Sequence, residues 1–127
     1  MNLTYNIKTI PILSKTLYKV NIFNYNHYFA NVNFMIDKQN LIINNIEIKD
    51  VYRRHGYGSL ILKNVEMYSK SKYDVNNVNL LVWQEYGSKN ICDFFKKNQY
   101  IENNMNHISR YDDYSKIYEL YPFSKKI

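Results

Sequence analysis

NLIINNIEIKDVYRRHGYGSLILK, residues 40–63, reads as a buried strand, a basic glycine turn and an amphipathic helix with no spacer between them. Leu41, Ile42, Ile43, Ile46 and Ile48 give the apolar, β-branched weight of a strand of about ten residues, bounded upstream by the turn signal Asp37-Lys38-Gln39-Asn40. From Tyr57 the positions Tyr57, Leu60, Ile61, Val65 and Tyr68 recur at steps of three and four, which predicts a helix. Two of the chain's three glycines, Gly56 and Gly58, sit in the turn between.

Glycine permits positive φ and lets a ligand approach the main chain, and a helix that starts there aims unpaired N–H groups forward. Such a place suits an anion, and Arg53 and Arg54 add charge beside it. The competing reading is a turn that only folds the strand back under the helix, with both arginines solvated. Two familiar phosphate loops are excluded. A P-loop needs Lys-Ser/Thr after its second glycine, where this chain has Ser59-Leu60, and a dinucleotide fingerprint needs a third glycine where Ile61 stands.

Arg53-x-x-Gly56-x-Gly58, with Ile46-x-Ile48 and Tyr52 ahead of it, resembles the acetyl-CoA signature of the GCN5-related N-acetyltransferase (GNAT) superfamily. That signature follows the fourth strand and opens a helix. The resemblance implies acetyl-CoA as co-substrate. By position it implies contacts from Ile46, Ile48, Arg53, Arg54, His55, Gly56, Tyr57, Gly58 and Ser59.

Composition sets the frame. The 127 residues are expected to form a single domain, 1–127, able to bury a core without disulfides. The lone Cys92 suits a reducing compartment, no leader segment or long apolar run shows, and a cytoplasmic protein without a membrane span is expected. A net charge of +6 favours polyanionic ligands, coenzyme A among them. His27, His55 and His107 have no metal-ligand spacing, so no metal is expected.

Upstream, three strands are expected in succession. Leu3, Tyr5 and Ile7 alternate with polar residues until Ile10-Pro11-Ile12 punctuates; Leu17 to Phe23 forms the second strand; His27 to Ile36 forms the third, with Tyr28, Ala30, Val32, Phe34 and Ile36 on one face. Downstream, Val78 to Gln84 reads as an interior strand. A helix then carries Ile91, Phe94 and Phe95 on one face, with Ser88 at its cap. Ile101 and Lys116 to Tyr121 supply a final pair of strands. This half resembles the same superfamily, with Phe94-Phe95 on its Leu-Tyr pair, Ser88 on its usual asparagine and Gln99 in place of its closing glycine. Ser88 and Phe95 join the implied coenzyme contacts.

The implied fold class is α/β (α+β): a mixed, mostly antiparallel sheet splayed between its fourth and fifth strands, with two main helices. This chain would be a short member, since Pro11 to Lys15 leaves no room for the helices that the superfamily places between its first two strands. The acceptor site is then expected to be shallow, open or completed by another chain, so a homodimer is among the expected partners. The usual base positions fall at Ile42 and Asn44 and the usual thiolate acid at Phe95, none of which can serve. Glu47 and Tyr86 are the substitute catalytic residues. Strict alternation sets Glu47 opposite Ile46 and Ile48, whereas the superfamily's strand bulge would swap the faces.

The implied activity is acetyl transfer from acetyl-CoA to a primary amine by direct attack on the thioester. The α-amine of a peptide or of an aminoacyl-RNA ranks above lysine tails. The alternative is a catalytically silent binding protein that keeps the fold and the coenzyme. Net charge and abundant tyrosines motivate a third reading, a nucleic-acid binder.

Overall fold

Three tight turns, at Leu13-Ser14, Tyr25-Asn26 and Lys38-Gln39, fold the first part of the chain back and forth. The first residue of each takes positive φ (54°, 55° and 56°), the geometry that matches a turn to the twist of a hairpin. The computed structural model describes residues 2–53, 55–85, 90–103, 109–111 and 117–127. They divide into two compact units, Met1–Val78 with Ile127, and Asn79–Lys126.

The first unit is an antiparallel meander of β1 (Leu3–Ile12), β2 (Lys15–Asn24), β3 (His27–Asp37) and β4 (Asn40–Ile48), followed by α1 (Tyr57–Tyr73) and the start of β5 (Asn77–Glu85). The hairpin between β1 and β2 leaves no insertion at Pro11 to Lys15, as expected. Pro11 does not end its strand, because β1 stands at the end of the meander and a missing N–H there breaks no ladder.

Two bulges set the faces. Between β2 and β3 the pairing passes from Ile22↔Ala30 to Phe23↔Tyr28, leaving Phe29 as the extra residue. Phe29 and Ala30 are both fully buried, and Tyr28 turns to the opposite face, where its hydroxyl accepts from Asn31 Nδ2 at 2.6 Å. The expected grouping of Tyr28 with Ala30 therefore fails at the bulge. Between β3 and β4 the pairs Asn33↔Asn45 and Phe34↔Ile43 skip Asn44. This extra residue moves the core face of β4 from Leu41 and Ile43 to Ile46 and Ile48, and keeps the polar Asn45 and Glu47 outside.

Helix α1 covers the face carrying Val20, Ile22, Val32, Phe34, Leu41 and Ile43 with its own Ile61, Leu62 and Val65. Leu60, expected on that face, is exposed, and Leu62 replaces it. Asp74 ends the helix in the left-handed conformation, its N–H donating to Ser69 C=O.

The second unit contains the rest of β5, α2 (Asn90–Lys97), β6 (Ile101–Glu102), β7 (Ser109–Tyr111) and β8 (Ile117–Lys126), with β8 antiparallel to both β6 and β7. Strand β7 is an addition to the final pair of strands expected at Ile101 and Lys116 to Tyr121. The core here is aromatic: the Phe95 ring lies 5.6 Å from Tyr100 and 5.8 Å from Phe123. Cys92 joins Phe95 in the interior, whereas Ile91, expected there, is exposed. Every strand pairing within the two units from β1 to β4 and from β6 to β8 is antiparallel, and the class is the expected mixed α/β with two helices.

Candidate functional site

The junction between β4 and α1 is built backward from the core. Lys49 N–H donates to Phe29 C=O at 3.0 Å, which ends β4 against the start of β3. A 3-10 turn at Asp50–Tyr52 follows, closed by Tyr52 N–H to Lys49 C=O at 2.9 Å. Arg53 then reaches back, its Nε–H donating to Ile48 C=O at 2.9 Å. One arginine is thus part of what holds the turn.

Gly56 occupies the N-cap of α1 with φ 79° and ψ 5°, a conformation in which any Cβ is strained. Its carbonyl accepts from Leu60 N–H at 3.2 Å and so begins the helix. No side chain caps this end and its first turn holds no acidic residue, so the helix offers the positive end of its dipole no anion of its own. Tyr57, Gly58 and Ser59 form that turn. A glycine at its second position keeps the approach to the backbone clear of side chain.

Phe29 holds the junction in place. Its ring lies 4.8 Å from Tyr52 and 5.1 Å, edge to face, from Tyr57, so one bulged core residue grips both sides of the turn. His55 is exposed, 5.8 Å from the Tyr57 ring. Alternation had missed Phe29 because it assigns a strand two strict faces; the adjacent aromatic pair Tyr28-Phe29 was the available sign that the alternation breaks.

On β4, Ile46 pairs with Val32 and Ile48 with Ala30 on the α1 face, while Glu47 pairs with Asn31 on the other. The bulge lies upstream at Asn44, so Glu47 remains opposite Ile46 and Ile48. Its neighbours form a hydrogen-bonded row: Asn45 Nδ2 donates to Asn31 Oδ1 at 3.1 Å, and Asn31 in turn donates to Tyr28. The structure therefore gathers Ile46, Ile48, Arg53, His55, Gly56, Tyr57, Gly58 and Ser59 at one junction, with Glu47 on the outer face of the strand leading into it. Phe95 lies in the aromatic core of the second unit. Arg54, Tyr86 and Ser88 fall outside the described residues.

Two further properties bear on chemistry. Among the described residues no three His, Cys, Asp or Glu side chains gather as metal ligands, and no helix is long and apolar enough to cross a membrane.

No protein-family model matches the chain, and no curated protein matches it. Solved structures do. A GNAT family acetyltransferase from Elizabethkingia anophelis, with acetyl-CoA bound, is similar with a TM-score of 0.73 at 13% identity, over 99% of each chain. The ribosomal-protein-S18-alanine N-acetyltransferase of Escherichia coli reaches 0.73 at 11% identity, over 92% of this chain and 72% of that one. An acetyl transferase of Salmonella typhimurium that modifies the N-terminal serine of a 50S ribosomal subunit protein reaches 0.72 at 11%, over 87% and 64%. At these identities the likeness is one of fold, and the fold is that of the GCN5-related N-acetyltransferases.

Proposed function

We propose that the protein is an N-acetyltransferase that uses acetyl-CoA as co-substrate. The observation that carries this reading is the start of α1: a glycine-capped, acid-free helix N-terminus directly after β4, with Gly58 in its first turn. In this reading the backbone of Gly56 to Ser59 and the guanidinium of Arg53 hold the coenzyme pyrophosphate. Arg54, His55 and Tyr57 border it, and Ile46 and Ile48 lie along the pantetheine arm. The bulge at Asn44 frees a backbone group of β4 from the ladder, which suits polarisation of a thioester carbonyl. Bound acetyl-CoA in the similar Elizabethkingia structure agrees with this reading.

Catalysis then rests mainly on positioning. Glu47 is the carboxylate that receives the amine, and Glu47→Gln is expected to lower kcat by about 10²-fold or more if it takes the proton, with unchanged coenzyme affinity. Phe95 offers no hydroxyl for the departing thiolate, so Tyr86 or water protonates it. A weakly equipped site favours an acceptor that is easily neutral. Presenting a lysine near pKa 10.4 as a free amine at pH 7 costs about 4.6 kcal/mol, and an α-amine near 7.8 only about 1 kcal/mol. The acceptor is therefore the α-amine of a peptide or of an aminoacyl-RNA; two of the similar proteins bear names that specify an alanine and an N-terminal serine.

Calorimetric titration of acetyl-CoA tests the reading. Gly58→Asp puts a carboxylate in the first turn, where the helix dipole tolerates it and an anionic ligand does not, so the fold should stand and the binding heat vanish. Wild-type protein that binds no coenzyme would overturn the assignment. Labelled acetyl-CoA offered with α-amines, lysine peptides and aminoacyl-RNA then ranks the acceptors.

A further inference from the structure

We propose that the outer edge of β1, with the groove beside it, docks an extended peptide segment in which apolar residues alternate with acidic ones. The inference is independent of the coenzyme reading. It starts from what β1 leaves unpaired. Strand β1 pairs with β2 through ten consecutive residues, Leu3↔Asn24 to Ile12↔Lys15, without a bulge, and no described strand pairs with its other side. Long straight edges of this kind accept another strand, and natural proteins usually blunt them with bulges, prolines or inward charges. Pro11 blunts only the end; Tyr5 to Thr9 stays open.

The α1 face of that edge is unfilled. A groove of about 440 Å³ runs between β1 and α1, lined by Tyr5, Ile7 and Val20 from the sheet and by Asn64, Met67 and Tyr68 from the helix, among others. Tyr5, Ile7 and Met67 keep 40%, 44% and 59% of their surface exposed. Asn64 Nδ2 donates to Tyr5 Oη at 2.9 Å, which ties the two walls together and satisfies polar groups that would oppose an apolar guest. A strand added to β1 sends alternate side chains to this face, next to Tyr5 and Ile7.

The other face specifies charge. Lys8 stands directly opposite Lys19, both exposed, and neither makes an ion pair among the described residues. Like charges in register repel. Asp37 is engaged by Lys15 at 3.3 Å, and Glu47 lies on β4, three strand spacings or about 14 Å from β1. An acidic residue on the incoming strand, opposite Lys8, fills the vacancy that the sheet itself leaves. A second copy of the chain does not: β1 contains no acidic residue, so pairing β1 with itself brings only more lysine into the same row. A free apolar molecule would fill the groove and leave both the backbone edge and the lysine pair unanswered.

The probes are labelled synthetic peptides about nine residues long, in which valine alternates with glutamate, lysine or serine, tested by fluorescence anisotropy and amide chemical-shift mapping without coenzyme. The glutamate peptide is expected to bind at least tenfold tighter than the serine one, to weaken with salt, and to move the signals of residues 5–9 and 64–68. Lys8→Glu, at an exposed position that folding does not need, should reverse the preference toward the lysine peptide, with circular dichroism unchanged. Equal binding of all three peptides, shifts centred on residues 53–59 instead, absence of binding, or self-association through β1 seen by sedimentation would each overturn the proposal.

Discussion

Phe29 and Tyr57 meet edge to face at 5.1 Å, although one is a bulged residue of β3 and the other the first residue of α1. The contact ties the bulge of β3 to the glycine turn that opens α1. A residue with no polar atom thereby determines where the helix N-terminus points.

Phe29→Leu is accordingly expected to cost about 1–2 kcal/mol in stability, and to weaken acetyl-CoA binding beyond what that loss explains. Val32→Ala, elsewhere in the same core, supplies the comparison: a similar loss in urea denaturation with coenzyme affinity retained. Equal effects of the two variants on calorimetric affinity would show that Phe29 acts only as core.

The bulge at Asn44 makes a sharper prediction. Removing Asn44 sets Asn45 directly after Ile43 and restores unbroken pairing, which leaves Ile46 and Ile48 on the α1 face and Glu47 outside. The deletion is therefore expected to stay within about 2 kcal/mol of wild type, whereas an alanine inserted between Asn45 and Ile46, which turns Glu47 toward α1 and Ile46 and Ile48 outward, is expected to cost more than about 4 kcal/mol. Chemical denaturation separates these outcomes, and a deletion as costly as the insertion would mean that the bulge itself, rather than the side-chain pattern, holds β4 in register.

These same residues mark how far the sequence could be read. The order of the main elements, the hairpin turn at Asp37 to Asn40 and the glycine junction were legible, because turn residues, period-two runs and the change to helical spacing at Tyr57 are local signals. What was not legible depends on a single inserted residue or on tertiary packing. Period two cannot locate a bulge, so the burial of Phe29 beside Ala30 and the outward turn of Tyr28 were lost. Helical period alone cannot choose among neighbouring apolar stripes, so it assigns Leu60 and Ile91 to the core in place of Leu62 and Cys92. The groove over β1 was invisible for a different reason: Tyr5 and Ile7 look like ordinary core residues until the reach of α1 is known.

Gln99 tests a departure from pattern. It follows α2 with φ 67°, and Tyr100 N–H donates to Phe95 C=O at 3.0 Å, so the position keeps the left-handed helix ending that glycine favours. Gln99→Gly removes the strain of a Cβ in that conformation, about 1–2 kcal/mol, and gives back about 0.5–1 kcal/mol through the freer unfolded chain. A net stabilisation of about 0.5–1 kcal/mol is expected by thermal or urea unfolding. A destabilised variant would show that contacts of the Gln99 side chain outweigh the backbone.

The last prediction concerns alkaline pH. On β8, Tyr121 Oη donates to Glu119 Oε2 at 2.6 Å; that hydrogen bond to a carboxylate, followed by burial, pushes the phenol up to about 12 from its ordinary value near 10. A group whose folded pKa is raised stabilises the fold fully below the unfolded value and loses that contribution as pH climbs to the folded one. The stability contributed by this pair should therefore be intact up to about pH 10 and decay between about 10 and 12. Tyr73, raised in the same direction by burial and its bonds to Tyr18 and Tyr68, adds to the decline. Tyr121→Phe isolates one contribution: its urea midpoint should lie below wild type at pH 8 and converge with it by about pH 12. Two curves that stay parallel across that window would show that the Tyr121 hydroxyl titrates alike in folded and unfolded chains, and the hydrogen bond to Glu119 would then carry no pH-dependent stability.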